Sequence, residues 1–287
     1  SARPMKPVAT SITFESPRAL PWWLWPNVLS LDAPLVAVVG LCAFARVAGV
    51  ELGWERPVLL GLCAWLAYCG DRLLDARRLK GPVESARHEF ARVNGRWLGA
   101  VWLGALLAAM TLAGRLSVNE WLAGLALAAV VGSYFLLQHH RALRGVAGQG
   151  KELMAGAGFA AGTLFFVMMQ VPWSWPLLLL GMAWAVLCGI NCLLIAGWDR
   201  ARDAVMGQPS MARRWPGLEG ALPWLATAPP ALAGTAAVLA EEMLPLAMAL
   251  AACAVALLEL ARRAPGMDLE ARRVWADTVL LMPVLIL

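Results

Sequence analysis

Long runs that are apolar on every helical face dominate this sequence. A soluble amphipathic helix keeps a polar stripe for water, whereas a helix apolar all round needs lipid or a core around it. Crossing a hydrocarbon core takes about 20 such residues. By that measure nine spans are expected. They run from Leu31 to Gly49, Pro57 to Leu74, Trp97 to Ala113, Glu120 to Gln138, Glu152 to Gln170, Trp173 to Trp198, Ala221 to Ala240, Met243 to Ala261 and Val274 to Leu287. Only 15% of the residues are charged and 60% are hydrophobic, where a soluble domain carries about 25% charged residues. One globular core cannot hide that much apolar surface. The expected fold class is an all-α polytopic membrane protein with a single transmembrane domain over residues 1–287. Residues 1–28 form a cytoplasmic or interfacial tail, and Asp-rich loops lie near 71–96 and 199–220. No short apolar region with a small-residue cleavage site stands out, so no cleaved signal peptide is expected.

Basic residues fix the orientation. With nine spans, the tail and the even-to-odd loops share one side. That side receives Arg72, Arg77, Arg78, Lys80, Arg87, Arg92 and Arg96 in the second-third loop. It also receives Arg141, Arg144 and Lys151, then Arg200, Arg202, Arg213 and Arg214, then Arg262, Arg263, Arg272 and Arg273. Arg46, Arg56 and Arg115 fall opposite. The positive-inside rule then places the amino terminus in the cytoplasm and the carboxyl terminus outside. The location expected is a bacterial cytoplasmic membrane. The net charge of +5 is explained by these loops without a nucleic-acid partner. Tryptophans such as Trp22, Trp25, Trp54, Trp97, Trp121, Trp173, Trp175 and Trp275 sit near span ends, as interfacial anchors do.

Two span ends on the cytoplasmic side look alike. The second leaves as Gly70-Asp71-Arg72-Leu73-Leu74-Asp75, the sixth as Trp198-Asp199-Arg200-Ala201-Arg202-Asp203. In each, two aspartates are spaced so that both carboxylates share one helix face. Two such helices facing each other would gather four carboxylates at a membrane surface. Mg²⁺ binds through one or two carboxylates plus substrate phosphates, so such a cluster rimmed by Arg and Lys suits a metal-diphosphate head group. The competing reading is that Asp71, Asp75, Asp199 and Asp203 pair with neighbouring arginines and end their helices.

With these motifs the chain resembles the UbiA superfamily of intramembrane prenyltransferases. The resemblance covers nearly the whole chain. It rests on the two aspartate motifs in the second-third and sixth-seventh loops. It also rests on Asp203-Ala204-Val205-Met206-Gly207-Gln208-Pro209-Ser210, on Tyr134 with Gln138-His139-His140-Arg141, and on Lys151 at the start of the fifth span. It implies transfer of a prenyl group from a polyprenyl diphosphate to an acceptor, assisted by Mg²⁺ held at Asp71 and Asp199. Asp75 and Asp203 complete the implied catalytic cluster. Expected around the substrate are Arg72, Arg77, Arg78, Arg87, His88, Lys151, Asn191, Tyr68 and Tyr134. Departures are plain. The family's leading Asn-Asp pair is replaced by Ala67-Tyr68 in the first motif and by Ile195-Ala196 in the second. Each site aspartate lacks its partner one turn up. Asn191, two turns before Asp199, is either a polar substitute or an interhelical hydrogen-bonding residue.

Arg77, Arg78, Lys80, Arg87 and His88 crowd one loop. Arginine forks match phosphate oxygens in pairs and could replace a missing metal; attraction to anionic lipid is the alternative. His88 is a candidate general base. Asp32, ahead of Pro34, reads as a helix cap, and Glu259 as a partner of Arg262 or Arg263. No P-loop, His-Glu-x-x-His or Gly-x-Ser-x-Gly run is present. Two further readings stay open: a cyclase of the same fold, and a non-catalytic isoprenoid- or lipid-binding or transport protein.

Overall fold

The computed structural model describes residues 20–78, 85–139, 150–205, 210–215 and 217–287. The side chains of Arg78, of residues 135–139 and of Val205 lie outside that description, as do Lys80, His140, Arg141 and the run 206–209. Among the described residues the elements are helical, and they follow the apolar runs of the sequence.

A short helix α1 (Trp25–Val28) leads into α2 (Asp32–Val47), with an 81° bend at the break. Ser30 makes that turn at a φ of 61°. Then come α3 (Glu55–Arg78), the short amphipathic α4 (Ala86–Val93), α5 (Gly95–Ala113), α6 (Val118–His139), α7 (Lys151–Met168) and α8 (Trp175–Trp198). The chain continues through α9 (Arg200–Val205), α10 (Met211–Arg214), α11 (Leu218–Leu225), α12 (Ala228–Leu239), α13 (Leu244–Arg263) and α14 (Leu269–Val279).

Each expected span has a helical counterpart, but the lengths differ. Among the described residues six helical stretches are long and apolar enough to cross a membrane, and a seventh qualifies if α1 and α2 count as one bent span. This is the architecture of a polytopic membrane protein. The ninth expected span departs most. Its helix, α14, has 11 residues, four of them Glu270, Arg272, Arg273 and Asp277, and a short 3-10 turn at Met282–Ile286 follows. Helix α14 packs against α8, α13 and α2, with Arg273 buried and Trp275 on the exposed side.

Helix α8 is the hub. It packs on α7, α12, α13 and α14, and buries Leu180, Trp184, Leu187 and Leu193. At the α7–α8 crossing, a Cβ added to Gly156 would lie 2.5 Å from the backbone nitrogen of Gly189. Small residues of this kind let membrane helices approach backbone to backbone. Elsewhere apolar side chains point outward: Leu103, Leu107 and Met110 on α5, and Leu122 and Val130 on α6. Contiguous apolar faces of that size mark contact with lipid or a partner rather than water. Trp22, Trp54, Trp97, Trp173, Trp175 and Trp275 are also exposed, as interfacial anchoring requires.

Candidate functional site

The two aspartate motifs lie at the same end of the bundle. Asp71 and Asp75 stand on the last turns of α3, which runs on as one helix to Arg78. Asp199 closes α8, and its carbonyl accepts the N–H of Asp203 at 2.8 Å. Each pair therefore occupies one helix face, as the spacing predicts.

The carboxylates do not gather into one cluster. Asp199 is buried, 8% exposed, and its Oδ1 accepts a hydrogen bond from Nη2 of Arg273 on α14, itself only 2% exposed. Arg273 Nη1 reaches both oxygens of Glu270 at 3.2 Å. Arg202 Nη1 lies 3.9 Å from Glu270. Asp71 lies towards α6, within electrostatic reach of Tyr134. The Tyr134 hydroxyl donates to the carbonyl of Lys151 at 2.9 Å, tying α6 to the start of α7. Asp203 is buried beside Lys151, and burial pushes its carboxyl above the usual range. Glu152, also buried, accepts the Met211 N–H at 3.1 Å.

What does gather is positive charge. Arg72 is 7% exposed and donates to the carbonyl of Asn27. Arg87, on the inner side of α4, feels Arg273 and Arg72 against Asp199 and Glu270. Loss of water, and then those arginines, lower its guanidinium to about 10. Its Nε is buried and makes no hydrogen bond, and Arg273 Nε is in the same state. Buried N–H groups without an acceptor are costly. An anion placed among them would supply the missing acceptors. His88 packs against the same group, with Nδ1 3.1 Å from Ser85 Oγ. Burial first, then Arg87, Arg72, Arg273 and Arg202, depress the imidazole to about 3. The ring is held neutral and binds a proton only weakly. Arg77 is exposed at the end of α3, away from this buried group.

Mg²⁺ finds no ready donor set here. Among the described residues no three acidic, His or Cys side chains converge on one point, and the Arg273 guanidinium takes the Asp199 carboxylate.

One helical turn or two further into the bundle lies a small cavity of about 40 Å³, lined by Tyr68, Phe159, Cys188, Asn191, Cys192 and Asp277 among others. The Asn191 amide donates to Asp277 Oδ1 at 2.8 Å, so it acts as the interhelical hydrogen-bonding residue of the two readings above. Glu259, in turn, pairs with Arg263 at 2.7 Å and with Arg262 at 3.7 Å.

Sequence reasoning passed over Arg273, Glu270 and Asp277. Arg273 entered only as loop charge. Asp277 carried a usable signal, because an acid inside an expected span is functional by default. Asp32, expected as a helix cap, is instead the first residue of α2; Leu31 holds the cap position with no side-chain cap bond, and Asp32 accepts the Ala33 N–H at 3.0 Å and the Asn27 amide at 2.5 Å.

Protein-family models, curated proteins and solved structures yield no match to this chain.

Proposed function

We propose that this protein binds the diphosphate of a polyprenyl diphosphate among Arg72, Arg87 and Arg273 and transfers the prenyl group to an acceptor within the membrane. In this reading the bundle crosses nine times with its amino terminus in the cytoplasm, and the arginines open to the cytoplasmic side. The observation that carries it is the pair of buried, unpartnered Nε–H groups of Arg87 and Arg273 beside Arg72. Guanidinium forks suit phosphate oxygens.

The chain's own residues divide the work. Arg87 and Arg72 bind the departing diphosphate and stabilise the charge that develops on it. Arg273 stays in place through Asp199 and Glu270. Val36, Phe159 and Leu280 are the apolar walls that would face an allylic cation. Mg²⁺ would bring the same neutralisation, but the described donors do not fit it and no step depends on it. The test is incubation of purified protein with geranylgeranyl diphosphate, with and without membrane lipid extract as acceptor source. Release of diphosphate together with a prenylated product supports the reading, and Arg87→Gln removes both. If Arg87→Gln turns over at the full rate while Asp71→Ala and Asp199→Ala are dead, the family's metal site is the working one. A cyclised hydrocarbon formed without acceptor would mean a cyclase.

One observation favours a second reading, a non-catalytic isoprenoid binder: the Arg273–Asp199 pair holds a motif aspartate that a metal-dependent enzyme needs open. Binding without any turnover would establish it.

A further inference from the structure

Helices α8 and α14 make two polar contacts, one inside the other. At the end of the bundle Arg273 donates to Asp199. Deeper in, the Asn191 amide donates to Asp277 Oδ1 at 2.8 Å. Arg273 and Asp277 are one turn apart on the same face of α14, about 6 Å along its axis. Asn191 and Asp277 both line the cavity of about 40 Å³, together with Tyr68, Cys188 and Cys192.

The inner contact uses only half of the Asn191 amide. Asn191 is 6% exposed, its Nδ2 donates to Asp277, and its Oδ1 has no hydrogen-bond partner. A buried carbonyl oxygen without a donor is costly. Val36, Phe159 and Leu280, which make the apolar part of the wall, have no side-chain donor to give. The donor therefore comes from within the cavity, and size decides its identity. About 40 Å³ admits about one to three waters and nothing the size of a lipid head group. Such a water donates to Asn191 Oδ1 with the Asp277 carboxyl in the same small space.

We propose that this cavity binds water, and that the water on Asn191 Oδ1 is the acceptor of the prenyl group, so that the protein releases a free prenyl alcohol. The water site stands on the cavity and on Asn191; the acceptor role rests on the transferase reading. A diphosphate held at Arg273 has the first carbon of its chain two bonds from phosphorus, and the cavity lies one turn of α14 inside Arg273. The water oxygen bonds to that carbon as the carbon–oxygen bond to diphosphate breaks. The electron pair leaves on the diphosphate. One water proton passes to the Asp277 carboxylate and the other stays as the alcohol hydroxyl. No redox partner is needed.

Turnover of geranylgeranyl diphosphate by the full-length protein in lipid nanodiscs, in water labelled with heavy oxygen, tests the acceptor role. Geranylgeraniol with the label on its hydroxyl is expected, beside unlabelled diphosphate. Label in the phosphate and none in the alcohol means attack at phosphorus and overturns the proposal. Asn191→Leu removes the acceptor oxygen, and Val36→Leu fills the cavity from its apolar wall. Each should lower the labelled alcohol about 10-fold, the worth of one hydrogen bond to the water. Should Asn191→Leu fail to fold, Val36→Leu carries this comparison. A full yield from the folded variants overturns the cavity as the source of the water. A crystal structure grown from a lipidic mesophase reads the site without turnover: water density within hydrogen-bonding distance of Asn191 Oδ1 is expected, and none there overturns the water site. A prenylated lipid formed with no alcohol overturns water as acceptor and leaves the transferase reading standing. A protein that neither binds nor turns over geranylgeranyl diphosphate sinks that reading and the acceptor role with it, while the density alone decides the water site.

Discussion

Arg273 and Asp199, 74 positions apart, form a buried ion pair that locks α14 against the end of α8. A guanidinium and a carboxylate so far from water rely on each other for solvation. Removing one strands the other, at a cost of about 3–5 kcal/mol. Arg273→Ala should therefore lower stability in detergent by about that amount, read from denaturant or thermal unfolding. The double variant Arg273→Met with Asp199→Leu should recover most of the loss. Additive losses would mean that the two residues act independently.

The His88 imidazole, depressed to about 3 in the folded protein, titrates near 6.5 once unfolded. Between those values the unfolded chain binds the extra proton and the folded one does not. The His88 contribution to stability is therefore whole above pH 6.5 and falls away as pH drops towards 3. Its ring NMR signals should not titrate between pH 8 and about 5, and His88→Gln should flatten this part of the stability profile. A midpoint near 6.5 in the folded protein would contradict the burial of α4 against the arginines.

Gly156 sits where two backbones touch, so Gly156→Ala must push α7 from α8. The expected cost is about 1–3 kcal/mol. Gly132 has open space at its Cβ position, and Gly132→Ala should be neutral or slightly stabilising. Thermal unfolding of the two variants side by side checks the crossing.

At the other end of the bundle Glu120 accepts from Arg56 Nε at 2.8 Å and from the Ser117 N–H at 2.9 Å, anchoring the start of α6 to α3. Glu120→Leu should cost about 1–3 kcal/mol and speed amide hydrogen exchange in the first turn of α6. Unchanged exchange there would mean the anchor is not needed.

Much of this was legible in the sequence because lipid imposes a simple rule. Wherever a run stayed apolar on all faces, as from Trp175 to Trp198, a helix forms within a few residues of the expected ends. The rule reads less clearly at α14, where Arg273 and Asp277 interrupt the apolar run and the helix has only 11 residues. The site was half legible. Spacing placed Asp71 with Asp75 and Asp199 with Asp203 on common faces, but spacing does not say what a carboxylate will pair with. The partners of Asp199 and Asn191 come from α14, far along the chain. Arg87 belongs to the site because the amphipathic α4 turns it inward. Arg77, from the same basic loop, stays outside.

Isothermal titration of geranylgeranyl diphosphate into the purified protein in nanodiscs, with EDTA present, tests the central claim most directly. Binding should persist without divalent metal and weaken about 10- to 100-fold in Arg87→Gln, the worth of one or two charge-assisted hydrogen bonds. Binding that requires Mg²⁺, is abolished by Asp71→Ala and ignores Arg87→Gln would contradict it.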